Sequence, residues 1–203
     1  MNFLAVFFLT LISLFTSASA QKQPLHDSTL VPIFQGLAAR DWEKVHKLAN
    51  EILAKHDAEL SNAVAFTRYA ALHSGAALVA EGKLTFEVFE PYAKQFVNKS
   101  LITAAHPTST DTSIKLAINT NKLTTLKDGT VASFVTVTDA ERKKIYSQEI
   151  VTYSSKFDVS PFHGKNTFTG GYLKSIEINP EKKTNWIMRL TIENANIQIW
   201  QGS

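Results

Sequence analysis

The sequence contains no cysteine. Disulfide staples, thiol nucleophiles, cysteine-ligated zinc and the acylated N-terminal cysteine of a bacterial lipoprotein are therefore all excluded. Catalytic signatures are missing too. No Gly-x-Ser-x-Gly elbow occurs, and Gly170-Gly171 is followed by neither a Lys-Ser/Thr pair nor a predicted helix, so there is no phosphate loop. The six histidines are His26, His46, His56, His73, His106 and His163, and no two sit at the i, i+4 spacing of a helical zinc motif. His46 and His56 would stand about 15 Å apart along a helix. They read as surface or helix-end residues, and neither a metal nor another cofactor is expected. Charge of one sign is also scarce. The 21 Lys and Arg against 18 Asp and Glu leave +3, and residues 21–110 balance, so the excess lies wholly in 111–203. That is too small and diffuse for a nucleic-acid footprint.

What is present begins with residues 1–20, which carry no charged side chain. Phe3 to Phe15 is apolar apart from Thr10 and Ser13, and Ala18-Ser19-Ala20 offers the small residues a signal peptidase accepts. The apolar stretch falls short of the ~20 residues that span a bilayer. The expectation is a signal peptide over 1–20, cut before Gln21, a periplasmic or secreted product, and no membrane span afterwards.

The period of the apolar residues changes near residue 105. Before it, helical spacing predicts four helices. The first starts at Ser28. The second runs from Trp42 to Lys55, with Asp41 as N-cap. The third covers 58–79, with a stripe of Ala65, Phe66, Tyr69, Leu72, Ala76 and Val79. The fourth covers 85–98. Ala39-Arg40-Asp41-Trp42-Glu43-Lys44-Val45 and Glu81-Gly82-Lys83-Leu84-Thr85-Phe86-Glu87 resemble the turn of a tetratricopeptide repeat, about 41 residues apart rather than 34. The resemblance covers the helical part alone. It implies paired antiparallel helices and a protein or peptide partner, and carries over no ligand residue.

After residue 106 the apolar residues alternate. Residues 108–112 read as a polar linker. Six strands are predicted, starting with Ile114, Leu116 and Ile118, with a hairpin turn at Asp128-Gly129 and a further turn at Asn194-Ala195-Asn196. The fold class is α+β: antiparallel, repeat-like helices in 21–106, then an antiparallel β-meander or small barrel in 107–203. Barrel and sandwich stay open, and a barrel would be of the oligosaccharide-binding or SH3-like kind.

No catalytic residue is assigned. Asp158 and His163 share a loop without an activated serine, and Glu177 and Glu193 read as solvated strand carboxylates, although an unrecognised acidic pair would make the chain a hydrolase. Asn98-Lys99-Ser100 matches the N-glycosylation sequon. Ser154 to Gly171 is long for a connection and carries Phe157, Phe162 and Phe168 among polar residues. Phe157, Phe162, His163 and Lys165 are the candidate ligand-binding residues, with Phe162 expected at the exposed tip and Phe168 against the fold. The expected function is an exported, non-catalytic binding protein. Its partner is a protein or peptide, or else a carbohydrate.

Overall fold

The computed structural model describes residue 25 and residues 27–200. The expected signal peptide lies outside the described residues. A 3-10 turn, Asp27–Leu30, leads into α1 (Val31–Ala39), followed by α2 (Trp42–His56), α3 (Asn62–Ala80) and α4 (Phe86–Lys94). Each boundary has a local cause. Pro32 sits in the first turn of α1, where its missing N–H costs nothing. Arg40 adopts a left-handed φ of 55° and ends that helix. Asp41 caps α2 by accepting from the Lys44 N–H at 3.2 Å. Ser61 caps α3 by accepting from the Val64 N–H, also at 3.2 Å, so α3 starts four residues later than its periodicity suggests.

Seven strands follow: β1 (Ser100–Ile102), β2 (His106–Ser109), β3 (Asn121–Thr125), β4 (Val131–Thr138), β5 (Ile145–Tyr153), β6 (Asn166–Ile178) and β7 (Trp186–Ile199). The α+β layout is the one the change of period implies. The sheet is mixed rather than antiparallel throughout, because β2 runs parallel to β3 and β5 parallel to β7. β3, β4 and β5 form a meander. From β5 the pairing continues through β7 and β6 to β2 and back to β3, a closed circuit of six strands. β1 continues the line of β2 along β6.

Several segments depart from the sequence expectation, β1 and β3 among them, since no strand is expected at 100–102 or 121–125 and β1 falls inside the part read as helical. The presumed linker at 108–112 begins inside β2. Residues 114–118 form no strand. Asp111 takes the Ser113 N–H and the Ile118 N–H turns back to the Leu116 carbonyl, and the segment meets β4 through an isolated parallel bridge between Ile118 and Thr136. Asn194-Ala195-Asn196 is no turn either: β7 runs straight through it with a register shift near Ala195.

Register sorts the faces. Leu123, Ser133, Val151, Ile192 and Leu173 stand side by side across five strands, and all are buried. The adjacent row of Lys122, Phe134, Ile150, Thr191 and Ser175 is partly or fully exposed. The inner rows receive α3, which packs against α2 and α4 on one side and β1, β5 and β7 on the other. Every residue from Ala63 to Ala80 is buried. α3 is thus enclosed all round, polar Arg68 and His73 included, and the stripe read from its sequence is only part of its buried surface. Gly75 permits one of these contacts, since a Cβ there would stand 2.6 Å from the Phe89 ring of α4. Helices and sheet share one hydrophobic cluster. Buried Arg68 of α3 ties them: its Nε donates to Asp57 Oδ1 at 2.7 Å and its Nη1 to Ser100 Oγ at 2.8 Å.

Candidate functional site

The loop singled out in the sequence is shorter than expected, because β6 starts at Asn166. Its rings divide differently too. Phe157 meets Tyr153 edge-on at 5.3 Å between centroids, and Phe162 meets Phe157 at 5.6 Å. Both are half-buried and pack on the core. They lie over a run of buried polar groups inside the strand circuit, where the Tyr153 hydroxyl bonds Ser133 at 3.0 Å and Thr169 at 3.1 Å. His163 is exposed and its Nδ1 accepts from the Thr110 N–H at 3.2 Å; Lys165 is exposed. Phe162 is therefore not an exposed tip, and Phe168 belongs elsewhere.

A second group of polar side chains is buried beneath α3. Glu149 of β5 accepts from the Tyr69 and Ser147 hydroxyls, both at 2.8 Å, through Oε1. Burial lifts its carboxyl to about 6 against the pull of those two bonds. His73 stacks on Tyr69 at 5.9 Å and meets Trp42 and Tyr146 edge-on. Burial, then the charges of His106 and Arg40, lower it to about 4. His106 is half-buried as a residue, but its Nε2 is fully enclosed, and burial lowers it to about 4 as well. His46 packs between α2 and α3, where its Nδ1 lies 3.2 Å from the Ala71 carbonyl. Several histidines are thus interior, contrary to the surface reading. His73 comes inside because the sheet covers a helix face that periodicity leaves open to water, His46 because α3 and α4 pack over it, and His106 because it opens β2. Among the described residues no group of three or more acidic or imidazole side chains is placed to hold a metal ion. Glu177 and Glu193 are exposed or half-exposed, paired with Arg189 at 3.3 Å and Lys174 at 2.7 Å.

A concave feature of the surface lies at the seam between the helices and the strand circuit. Its apolar arm, about 670 Å³, runs between α1 and the end of β7. Phe34 of α1 stacks on Phe66 of α3 at 4.7 Å, forming one wall. Phe168 of β6 and Trp200, 6.2 Å apart, form the other. The floor is Ile102 at the end of β1 and Thr103 to Ala105, the irregular stretch before β2. A second arm of about 310 Å³ shares Asn62, Ile102, Phe168 and Gln198 with the first and continues past Gly170, Tyr172, Asn194 and Asn196. The hollow has a simple origin. Gly170 is the cross-strand partner of Asn196 and of Ile102 at once, and it has no side chain to fill the space.

Neither arm is lined by a charged side chain. Around the rim Phe34, Leu60, Tyr172 and Trp200 are exposed at 42%, 94%, 51% and 47%. Large exposed apolar side chains gathered at a concavity mark a binding surface more often than scattered ones do. Of the sequence candidates none lines either arm. The residues that do include Asn194, Asn196 and Gln198, which the sequence reading placed in a turn and its exit. The available signal was the alternation from Asn194 to Trp200 of amide or ring with Ala195, Ile197 and Ile199, a strand pattern with an uncharged outer face. No known protein family, curated protein or solved structure matches this chain.

Proposed function

We propose that this chain is an exported, non-catalytic binding protein that holds a neutral amphiphilic ligand in the two-armed groove. The observation that carries the reading is the lining: apolar and aromatic in one arm, amide-bearing in the other, and charged in neither. Burial of apolar ligand surface there would supply the affinity, at about 25 cal/mol per Å² before ordering costs. The lining contains no carboxylate, imidazole or amine, and Glu149 and His73, whose pKa values burial displaces, lie outside it, beneath α3. That speaks for holding a ligand rather than transferring a proton. A partner role through the tetratricopeptide-like helices has less support, because α3 is buried along its length and offers no open face. Export rests on the N-terminal sequence, and among the described residues no helix is long and apolar enough to cross a membrane.

Two measurements test this. Nile red, a neutral apolar dye, should bind with a fluorescence rise. Phe34→Asp should abolish the rise and lower the melting temperature less than a core substitution would, since Phe34 is 42% exposed. Equal dye binding by parent and variant would sink the groove reading. N-terminal mass analysis of protein from its native host should begin at Gln21, and an intact Met1 would refute export by cleavage.

A further inference from the structure

The amide-lined arm has a chemistry more specific than "polar". Asn196 and Gln198 are alternate residues of β7, so their side chains leave the same face about 6.8 Å apart. Asn194 joins them from the register shift of the same strand, where its φ of 52° is one that asparagine tolerates better than most residues. Among the described residues none of these three amides makes a side-chain hydrogen bond. Each therefore offers two N–H donors and a carbonyl acceptor to whatever enters. Tyr172 and Trp200 stand exposed at the ends of this row.

We propose that the amide arm receives a neutral, hydroxyl-rich head group of the saccharide class, carried on the apolar tail that the other arm holds; the ligand is a neutral glycolipid or alkyl glycoside. This rests on the groove reading above. A sugar hydroxyl both donates and accepts, as does each amide, so a run of hydroxyls matches the unpaired row without leaving a donor facing a donor. A phosphate, sulfate or ammonium head would enter an arm with no counter-charge and pay its desolvation uncompensated. The flat faces of a sugar ring are apolar and suit the exposed Tyr172 and Trp200 rings, which pair an apolar body with a polar edge.

The experiment is displacement of bound Nile red from the purified protein by three C12 amphiphiles below their micellar range: dodecyl maltoside, dodecyl sulfate and dodecyltrimethylammonium. The maltoside should displace the dye at about tenfold lower concentration than either charged analogue, the worth of one or two hydrogen bonds. Asn196→Ala with Gln198→Ala should erase that preference, read as the ratio between the three heads within one variant, and leave melting close to the parent, because both residues are exposed. Equal displacement by all three heads, with dye binding still lost in Phe34→Asp, would overturn the saccharide inference and spare the groove. An advantage for the sulfate or the ammonium overturns it outright. Failure of the parent to bind Nile red at all removes the groove reading and this inference with it.

Discussion

The hydroxyl of Tyr69, midway along α3, donates to Glu149 Oε1 on β5 at 2.8 Å and so pins the central helix to a strand 80 residues away in sequence. The other carboxylate oxygen, Oε2, is buried without a partner among the described residues. Half of the carboxylate is thus satisfied and half is not, and the protonated form is the comfortable one.

From this follows the effect of Glu149→Gln. A carboxyl whose folded pKa is raised contributes stability that is whole below the unfolded value and is lost as pH rises through the folded value. Here that window runs from about 4.5 to about 6. Above it the ionised group costs about 2 kcal/mol, from 1.36 kcal/mol per unit. Glu149→Gln keeps an acceptor for Tyr69 and Ser147 and should raise stability at pH 8 by up to that amount. Urea unfolding at pH 4.5 and 8 measures it, and a variant less stable at pH 8 refutes the account.

His73 acts with the opposite sign. Its folded value of about 4 lies below the unfolded 6.5, so its contribution is complete above pH 6.5 and is lost as pH falls toward 4. The loss amounts to about 3 kcal/mol. His106 adds in the same direction. Together they outweigh Glu149, and the parent should lose stability between pH 6.5 and 4. His73→Phe, which keeps the ring packing against Trp42 and Tyr146, should flatten that slope. An unchanged slope would show that His73 is not the group responsible.

Arg68 is 4% exposed in its side chain and serves three elements: Asp57 at the end of α2, its own α3, and Ser100 of β1. Removing it takes the guanidinium from Asp57 Oδ1 and from the Ser100 carbonyl, while Lys99 stays on Asp57 Oδ2, a loss of about 1.5–3 kcal/mol for hydrogen bonds of a charged group. Burial pushes the Asp57 carboxyl up, but the hydrogen bonds and charges of Arg68 and Lys99 hold it below its ordinary value. Arg68→Ala should therefore melt well below the parent and lose part of its acid sensitivity below pH 4. Arg68→Lys should not rescue it, because one ammonium cannot make the fork's contacts. A Lys variant with parental melting would disprove the role of the fork.

Two adjacent glycines should answer differently to alanine. At Gly171 a Cβ would stand 2.7 Å from Ile192 Cγ2 and 2.9 Å from the Glu193 carbonyl oxygen, and the backbone cannot step aside. Gly171→Ala should cost about 1–3 kcal/mol. At Gly170 the nearest atom is Ile102 Cγ1 at 3.5 Å, an ordinary contact, so Gly170→Ala should melt near the parent. Equal melting of the two variants contradicts this packing.

The aromatic loop offers a further comparison. Phe157 and Phe162 pack over Tyr153, whereas Phe168 faces the groove. Phe157→Ala should lower the melting temperature more than Phe168→Ala, and Phe168→Ala should weaken Nile red binding more. The reverse order in both assays would return Phe168 to the plug and Phe157 to the ligand.

The helices, the switch to strands and the turn at Asp128-Gly129 were legible because each is written in neighbouring residues: caps, 3.6-residue stripes, β-branched runs. The Asp41 cap and the start of α2 agree between sequence and structure for that reason. The strand order was not legible. Parallel pairing of β5 with β7 and closure of β6 on β2 depend on which edges meet, and no local pattern encodes that. The candidate site was missed for a related reason. Phe34, Ile102, Phe168 and Gln198 come from four separate stretches, each unremarkable alone, and only the closed circuit brings them to one seam. Asn194 to Asn196 misled because two asparagines so close favour turns, and pairing to β6 overrode that preference.

The burial of α3 also sets the order in which the chain becomes safe to leave alone. Translation delivers α3 by residue 80, but two of the strands that cover it, β5 and β7, end only at Tyr153 and Ile199. Until then the face of α3 turned away from α2 and α4 lacks the cover of those strands, and the long-range pairings that would supply it are slow to form. A product truncated before β7 would leave that face of α3 open to water, and should be cleaved by protease faster than the full chain.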